Sequence, residues 1–503
     1  MFYKRYGSIM NNSQKRRYLF FFMLVFFLLT GCQAGRLLDQ HLIVEEGPKL
    51  NYGRMSDSLG SLKLSDGTIL VVGGSPSEKH FVPHSGKNTI ELLRPPYRKW
   101  ELSGIDVPYR IAGNVFPLSA EKILAFTSVF IFDAHSSDPN PNLDPKKPYL
   151  PLSGSVSAVI INLKTKSVTP IYRSKENEAC RQPLVGSDIS LQQKTFNRSL
   201  LLSSGKIIRV GGFNYYQSPT PQIKCQQNKC LYCLDGKCTP HSKFDYSCYA
   251  ISDCPKVWGK RKAVVGKDIE IYTPPDATHP KGSVRCVPMP AGRSGVAVIE
   301  LQDGKVMITG GWGPQGEGSN QSYATTLFLD PQTASLAPGP RMLYPREDHS
   351  MILLDDGRVL ITGGTNQNGK TIRTSEIYDP TTKRFFHTHS MSLSREKHLP
   401  IRLGPLILFL GGEVNDKADQ IRNSGEVFNS LTGLYIGSFL LYKRPKKGEL
   451  DAGLAGISTG TVLPLYKNSV LLFGGQQGLQ DRDGEYISAG KGTVRTLLLQ
   501  YVE

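Results

Sequence analysis

The 503-residue chain has no P-loop, nucleophile elbow or zincin motif, so it offers no ready phosphate cradle, acyl-transfer serine or zinc-protease helix. It has no basic helix, no nucleic-acid fold signature and no aromatic stacking platform, which sets specific nucleic-acid binding aside. Its one prominent apolar run, Tyr18 to Thr30, is too short to span a bilayer, which needs roughly 20 residues. Charged residues are few, at 20% of the chain. What is plentiful is Gly (50) and Pro (33), the composition of a turn-rich β protein rather than a helical or disordered one.

The formal net charge of +17 overstates the basicity of the folded part. Lys4, Arg5, Lys15, Arg16 and Arg17 lie in an N-terminal segment without acids, and leaving them out gives +12. That excess draws a protein towards acidic lipid, polysaccharide or nucleic acid without sequence preference. A solvated basic surface is the plainer reading of the same number.

The N-terminal order is basic flank, apolar run, then Leu29-Thr30-Gly31-Cys32. This resembles the bacterial lipobox, whose cysteine is acylated and becomes the new N-terminus after cleavage. The expected division is a signal peptide over 1–31, lipidation at Cys32, a tether over 32–41 and one domain over 42–503. An ordinary signal peptide with a chance cysteine is the competing reading. Gln33 stands where Asp would suggest inner-membrane retention, so the resemblance favours the outer membrane of a bacterial envelope, periplasmic or surface-facing.

After Cys32 one pattern recurs: apolar strand, tight turn, apolar strand, Gly-Gly. Copies read LKLSDGTILVVGG (62–74), LLLSSGKIIRVGG (200–212), VIELQDGKVMITGG (298–311) and MILLDDGRVLITGG (351–364), with further copies at 401–412 and 463–475. A seventh, FPLSAEKILAFTS (116–128), lacks the glycines, which leaves six or eight units open beside seven. Asp66-Gly67, Asp303-Gly304 and Asp356-Gly357 predict two-residue hairpin turns. A third strand and a turn follow each copy, as in SEIYDPTTKRF (375–385), and a fourth leads to an arginine turn, as in GPRMLYPREDHS (339–350).

Strand, hairpin, strand, strand makes a four-stranded blade, and the spacing predicts an all-β, seven-bladed propeller. The Gly pairs, the Tyr378-Asp379-Pro380 turn, the bulky residue near Trp100 and Phe386, and the Arg-x-x-His of Arg346/His349 and Arg395/His398 together resemble the kelch family. The D-G-R-V-L-I-T-G-G form is similar to the propeller of galactose oxidase. Residues 42–54 resemble the fourth strand and arginine turn of the other repeats, so the N-terminal strand is expected to close blade seven.

Two stretches break the spacing: 135–154, rich in Pro and Asn, and 213–267, inserted between the second and third strands of blade three. The kelch resemblance places both over one mouth of the central channel. Six cysteines fall in the longer one: Cys225, Cys230, Cys233, Cys238, Cys248 and Cys254. With Cys180 and Cys286 they make eight, an even number that in an exported chain points to disulfides. Cys180–Cys286 is the expected pair outside the insertion. Zinc on Cys230-x-x-Cys233 with Cys225, Cys238 or His241 is the weaker alternative, and no metal or other cofactor is expected.

No convincing catalytic constellation stands out. The galactose oxidase copper site draws on a Tyr–Cys cross-link and on a histidine from a later domain, and neither has a counterpart here. His349 and His398 fit packed positions ahead of the first strand better than ligand roles. His387-x-His389 shares one strand face but is weak alone. The candidate ligand-binding residues are the arginines assigned to the inter-blade turns, Arg54, Arg198, Arg293, Arg346 and Arg395, each able to fork onto a carboxylate. Arginines near this position in animal kelch adaptors bind acidic peptide. Holding neighbouring blades together is the competing role. Trp312 adds a stacking surface.

The leading expectation is a lipid-anchored binding module that takes a protein segment or glycan, acidic in character, at the propeller mouth. The alternative is a carbohydrate-active enzyme: some periplasmic kelch propellers are sialic acid mutarotases, although those look six-bladed, and Glu413 is the acid/base to test. A scaffold presenting only its outer edges is the third class.

Overall fold

The computed structural model describes residues 42–502, apart from 55–58, 75–88, 109–110, 128–155, 173–197, 218–221, 227–228, 235–236, 241–260, 280–281, 415–419, 442–454, 457–460, 475, 481–485 and 493–494. Cys32, the expected signal and tether segments, the 135–154 insertion, Cys180, Cys248, Cys254 and His241 lie outside the described residues.

Seven antiparallel four-stranded sheets follow one another along the chain, with no helix among the described residues. Blade one is Leu59–Lys63, Ile69–Gly73, Thr89–Leu93 and Trp100–Asp106, from the axis outwards. Blade two, which lost its glycines, still has all four strands: Ile111–Pro117, Lys122–Thr127, Val156–Asn162 and Ser167–Tyr172. Blades three to six begin with Arg198–Leu201, Ala297–Glu300, Ser350–Leu353 and Leu399–Leu403. In blade seven, Thr461–Tyr466, Ser469–Phe473 and Thr496–Tyr501 are completed by Leu42–Glu46, which pairs antiparallel with the last strand from Leu42↔Tyr501 to Glu46↔Leu497. The propeller is therefore closed by strands from both ends of the chain.

The periodicity of a strand explains where the core sits. Successive side chains point to opposite faces, and a blade has a neighbour on each face. In blade one, Ile69 and Val71 pack towards blade seven with Leu471, Phe473 and Trp100, while Leu70 and Val72 pack towards blade two with Ile123 and Ile161. Second strands are buried along their length, which is why they read as continuous apolar runs (ILVV, VMIT, VLIT) instead of alternating, interrupted in blade three only by the buried Arg209 (IIRV). Each of the seven blade-to-blade seams holds its own apolar cluster.

The Asp-Gly hairpins differ from the expected two-residue turns. The Gly67 amide donates to the Leu64 carbonyl (3.0 Å), and only the glycine of the turn has positive φ (84°). That is a type I turn closed by a glycine bulge, repeated at Gly304 and Gly357, with Asp66 accepting from the Thr68 amide (2.8 Å). The glycine pairs answer a different need. Gly363 and Gly364 have φ of 62° and 92°, and a side chain on Gly363 would run into the Arg395 carbonyl and His398 of the next blade. Crowding comes from the neighbouring arginine turn.

Between the second and third strands of blade three, Phe213–Gln217 pairs with Arg261–Val265, and Gln222–Gln226, Lys229–Leu234 and Lys237–Pro240 form a separate three-stranded sheet. In that sheet Cys225 is in register with Cys230, and Cys233 with Cys238. Cys286, in the outer strand of blade three, is disulfide-bonded. On the same face, loops of blades six and seven join in a five-stranded sheet that includes Glu413–Val414 and Tyr486–Gly492.

Candidate functional site

The arginine turns lead directly into the inner strands, so their residues surround the axis on the loop face. In blades five and six the turn reads Arg346-Glu347-Asp348-His349 and Arg395-Glu396-Lys397-His398. Its two ends are structural. Arg346 donates to the carbonyls of Gly363 (2.7 Å) and Thr374 (3.0 Å) and pairs with Glu376 (2.8 Å); Arg395 does the same with Gly411 (2.6 Å), Ser424 (2.9 Å) and Glu426 (3.0 Å). Arg54 bonds the Gly73 carbonyl and Glu91. Burial depresses the pKa of all three guanidinium groups, although the carboxylate partners oppose it.

Arg293, in blade four, has Leu327 at the register position that Glu91, Glu376 and Glu426 hold in blades one, five and six, and it bonds the Gly310 and Thr325 carbonyls and the Thr325 hydroxyl (2.7 Å) and lies over the Tyr323 ring at 4.6 Å. Its pKa is pushed down to about 10 by burial.

These four arginines are 0–3% exposed, so the expected ring of free guanidinium groups is not what the fold presents. Their donors are directed into the blades, where backbone carbonyls left over at strand ends need partners. Arg198 is displaced from the expected position. It is the first residue of the inner strand of blade three, in register with Val210, at the place Ser350 holds in blade five. Its side chain is exposed apart from a 3.2 Å bond to the Val296 carbonyl. Trp312 is half-buried, and its backbone exchanges two hydrogen bonds with Ser294 (2.7 and 2.9 Å).

His349 and His398 are blade-to-blade pins. Each Nε2 is 2.8 Å from a threonine hydroxyl of the preceding blade, Thr309 and Thr362 respectively. Burial and nearby arginines hold both rings well below the usual histidine pKa, and therefore neutral. Neither His387 nor His389 belongs to a potential metal cluster, and no group of three or more such ligands exists among the described residues.

The two middle residues of each turn form the candidate site. The Asp348 amide donates to the Gly295 carbonyl and the Lys397 amide to the Asp348 carbonyl, both at 2.8 Å. All three residues are left-handed, with φ of 62°, 50° and 52° in chain order, so the turns of blades four to six link hand to hand. This arrangement fixes side chains that sequence reasoning passed over. Asn320 donates to Glu347 (2.6 Å), Thr365 donates to Glu396, and Lys397 donates to Glu413 (2.8 Å) while Glu396 lies 3.9 Å away.

Burial and the adjacent Asp348 charge push Glu347 up to about 8, against the Asn320 hydrogen bond. Burial, Asp348 and Glu413 lift Glu396 to about 7, against Lys397 and Thr365. Burial alone would depress Lys397, but Glu413, Asp348 and Glu396 outweigh it and keep the ammonium charged. The cluster therefore offers a neutral carboxyl donor, a carboxyl near its midpoint, a carboxylate and a cation. Glu413, the sequence candidate, enters it as the ion-pair partner of Lys397. The signal available in the sequence was the charged character of the two variable positions inside Arg-x-x-His.

No family model and no curated protein sequence matches the chain. Among solved structures, one titled "Structure of YjhT" matches with a TM-score of 0.44 at 11% identity, covering 91% of this chain and 99% of that one.

Proposed function

We propose that this protein recognises a polyhydroxylated ligand, a glycan, at the axial mouth of its loop face. The observation that carries the reading is the cluster of Asn320, Glu347, Glu396, Lys397 and Glu413. Five polar side chains from three blades are held at one end of the axis by a backbone chain of hydrogen bonds. Rigidly placed donors and acceptors of mixed charge suit hydroxyl groups, which both give and accept hydrogen bonds. The buried arginines argue against the acidic peptide anticipated from their positions alone. The lipobox-like N-terminus supports action at the bacterial envelope, with the molecule tethered through Cys32.

The test is a glycan array probed with the protein and with its Glu347→Gln and Lys397→Ala variants at two salt concentrations. Selective binding, lost in both variants, supports the reading. Uniform binding to every polyanion that vanishes with salt would sink it, because that is the behaviour of a merely basic surface.

A second reading has its own observation. Carboxyls brought to about 8 and about 7 stand where general acid–base catalysis at neutral pH needs them, which favours a sugar-active enzyme such as a mutarotase or epimerase. NMR of freshly dissolved sugars decides it. Anomer exchange accelerated by the protein and abolished by Glu347→Gln supports catalysis, and exchange at the buffer rate removes it.

A further inference from the structure

We infer that the opposite, hairpin face carries a membrane-contact surface at the seam where blade seven meets blade one. A cavity of about 530 Å³ opens there between the two blades. Tyr97 and Tyr466 form its lip, ring centroids 5.5 Å apart in an edge-to-face arrangement, and Tyr466 is 61% exposed. Arg98, Lys99 and Lys467 are exposed beside the two tyrosines and make no ion pair among the described residues. The nearby acids are mostly neutralised: Glu46 pairs with Arg495 and Glu101 with Arg94, while Asp66 caps its own turn through Thr68.

Paired tyrosines flanked by unpaired cations are the chemistry of a bilayer interface with anionic headgroups. The rings sit at headgroup depth and the cations meet phosphates. The path of the chain favours a membrane over a free anion. Leu42 pairs with Tyr501, whose amide donates to the Asn468 carbonyl (2.8 Å), and Asn468 lines the cavity. The chain thus enters the propeller one strand away from the patch. Ten residue steps from Cys32 to Leu42 reach about 35 Å at most, so an acylated Cys32 would hold this face near the bilayer. The direction of approach rests on the proposed lipid anchor, whereas the surface itself does not.

The test uses the chain from Leu42 onward, which contains every strand of the closed ring and no acylation site. It is sedimented with phosphatidylcholine vesicles, with and without phosphatidylglycerol. Binding is expected only to the mixed vesicles, and Arg98→Glu with Lys467→Glu should weaken it by more than about 25-fold, at roughly fivefold per cation lost. The charge-matched pair Lys370→Glu with Arg373→Glu, on the loop face, should leave it within about twofold. Emission of a Tyr466→Trp variant should shift to the blue on the same vesicles. Absence of binding, equal loss in both charge pairs, or displacement by inorganic phosphate at constant ionic strength would overturn the assignment. Failure here leaves the anchor to be judged separately, by mass spectrometry of the N-terminus of the membrane-bound protein.

Discussion

Arg346 and Glu376 lie 2.8 Å apart with both side chains wholly buried, and blades one and six repeat the pair as Arg54–Glu91 and Arg395–Glu426. The carboxylates also receive backbone amides, Leu343 on Glu376 and Ser392 and Leu393 on Glu426. Each pair therefore ties the third strand of a blade to the turn that leads into that blade's own first strand. Glu376→Gln leaves a buried cation without its counter-charge and should cost about 3–5 kcal/mol. Arg293→Met, in the blade that has Leu327 instead of Glu, removes a cation without stranding a carboxylate and should cost less, about 1–2 kcal/mol. Denaturant unfolding of the two variants checks the order.

The mouth cluster predicts a pH signature. Glu347 binds its proton more tightly folded than unfolded, so stability it contributes below about pH 4.5 is lost as pH rises towards about 8. Glu347→Gln cannot ionise. Relative to the wild type, it should gain stability progressively across that window, by about 5 kcal/mol at the upper end, at roughly 1.4 kcal/mol per pH unit. Thermal unfolding at a series of pH values measures the gain, and a constant difference would mean that Glu347 titrates normally.

The histidine pins have the opposite sign. His349 and His398 are held below their ordinary pKa, so the stability they contribute is present above about pH 6.5 and falls away as pH drops further. His398→Gln should flatten the acid limb of the stability profile while lowering the plateau, because the bond to Thr362 is disturbed. An unchanged acid limb would show that the carboxylates alone set it.

Ring closure predicts a cooperative loss. Deleting residues 42–46 strips the outer strand from blade seven, exposes the edge of Thr496–Tyr501 and removes Leu42 from the core it shares with Leu406 and Leu499. The melting temperature should fall sharply, and light scattering should reveal association through the open edge. A monomeric variant with an unchanged melting temperature would show that the other three strands suffice.

The propeller was legible in the sequence because its signals are local. Six of the seven blades combine a hairpin turn, an apolar run buried on both faces and a glycine pair, and all three lie within about fifteen residues, close to the length of two paired strands. Blade two kept the strand pattern without the glycines, and the strands alone were enough. The start of the first outer strand was legible for the same reason, since residues 42–54 repeat the pattern of the other blades. Turn type was misread because Asp-Gly suits two hairpin geometries, and only the Gly67–Leu64 hydrogen bond distinguishes them.

The candidate site was not legible, and the reason is physical. Arg346 reads as an exposed cation until the Gly363 carbonyl and Glu376 are seen to enclose it, and Arg198 reads as a turn residue until its pairing with Val210 places it on a strand. Glu347, Glu396 and Lys397 look like solvated charges in sequence and acquire their properties only from Asp348, Asn320, Thr365 and Glu413 across blade boundaries. Strand, turn and repeat follow from the order of residues along the chain. Burial, pKa and the meeting of side chains from three blades depend on distances through space, and only closure of the ring sets those.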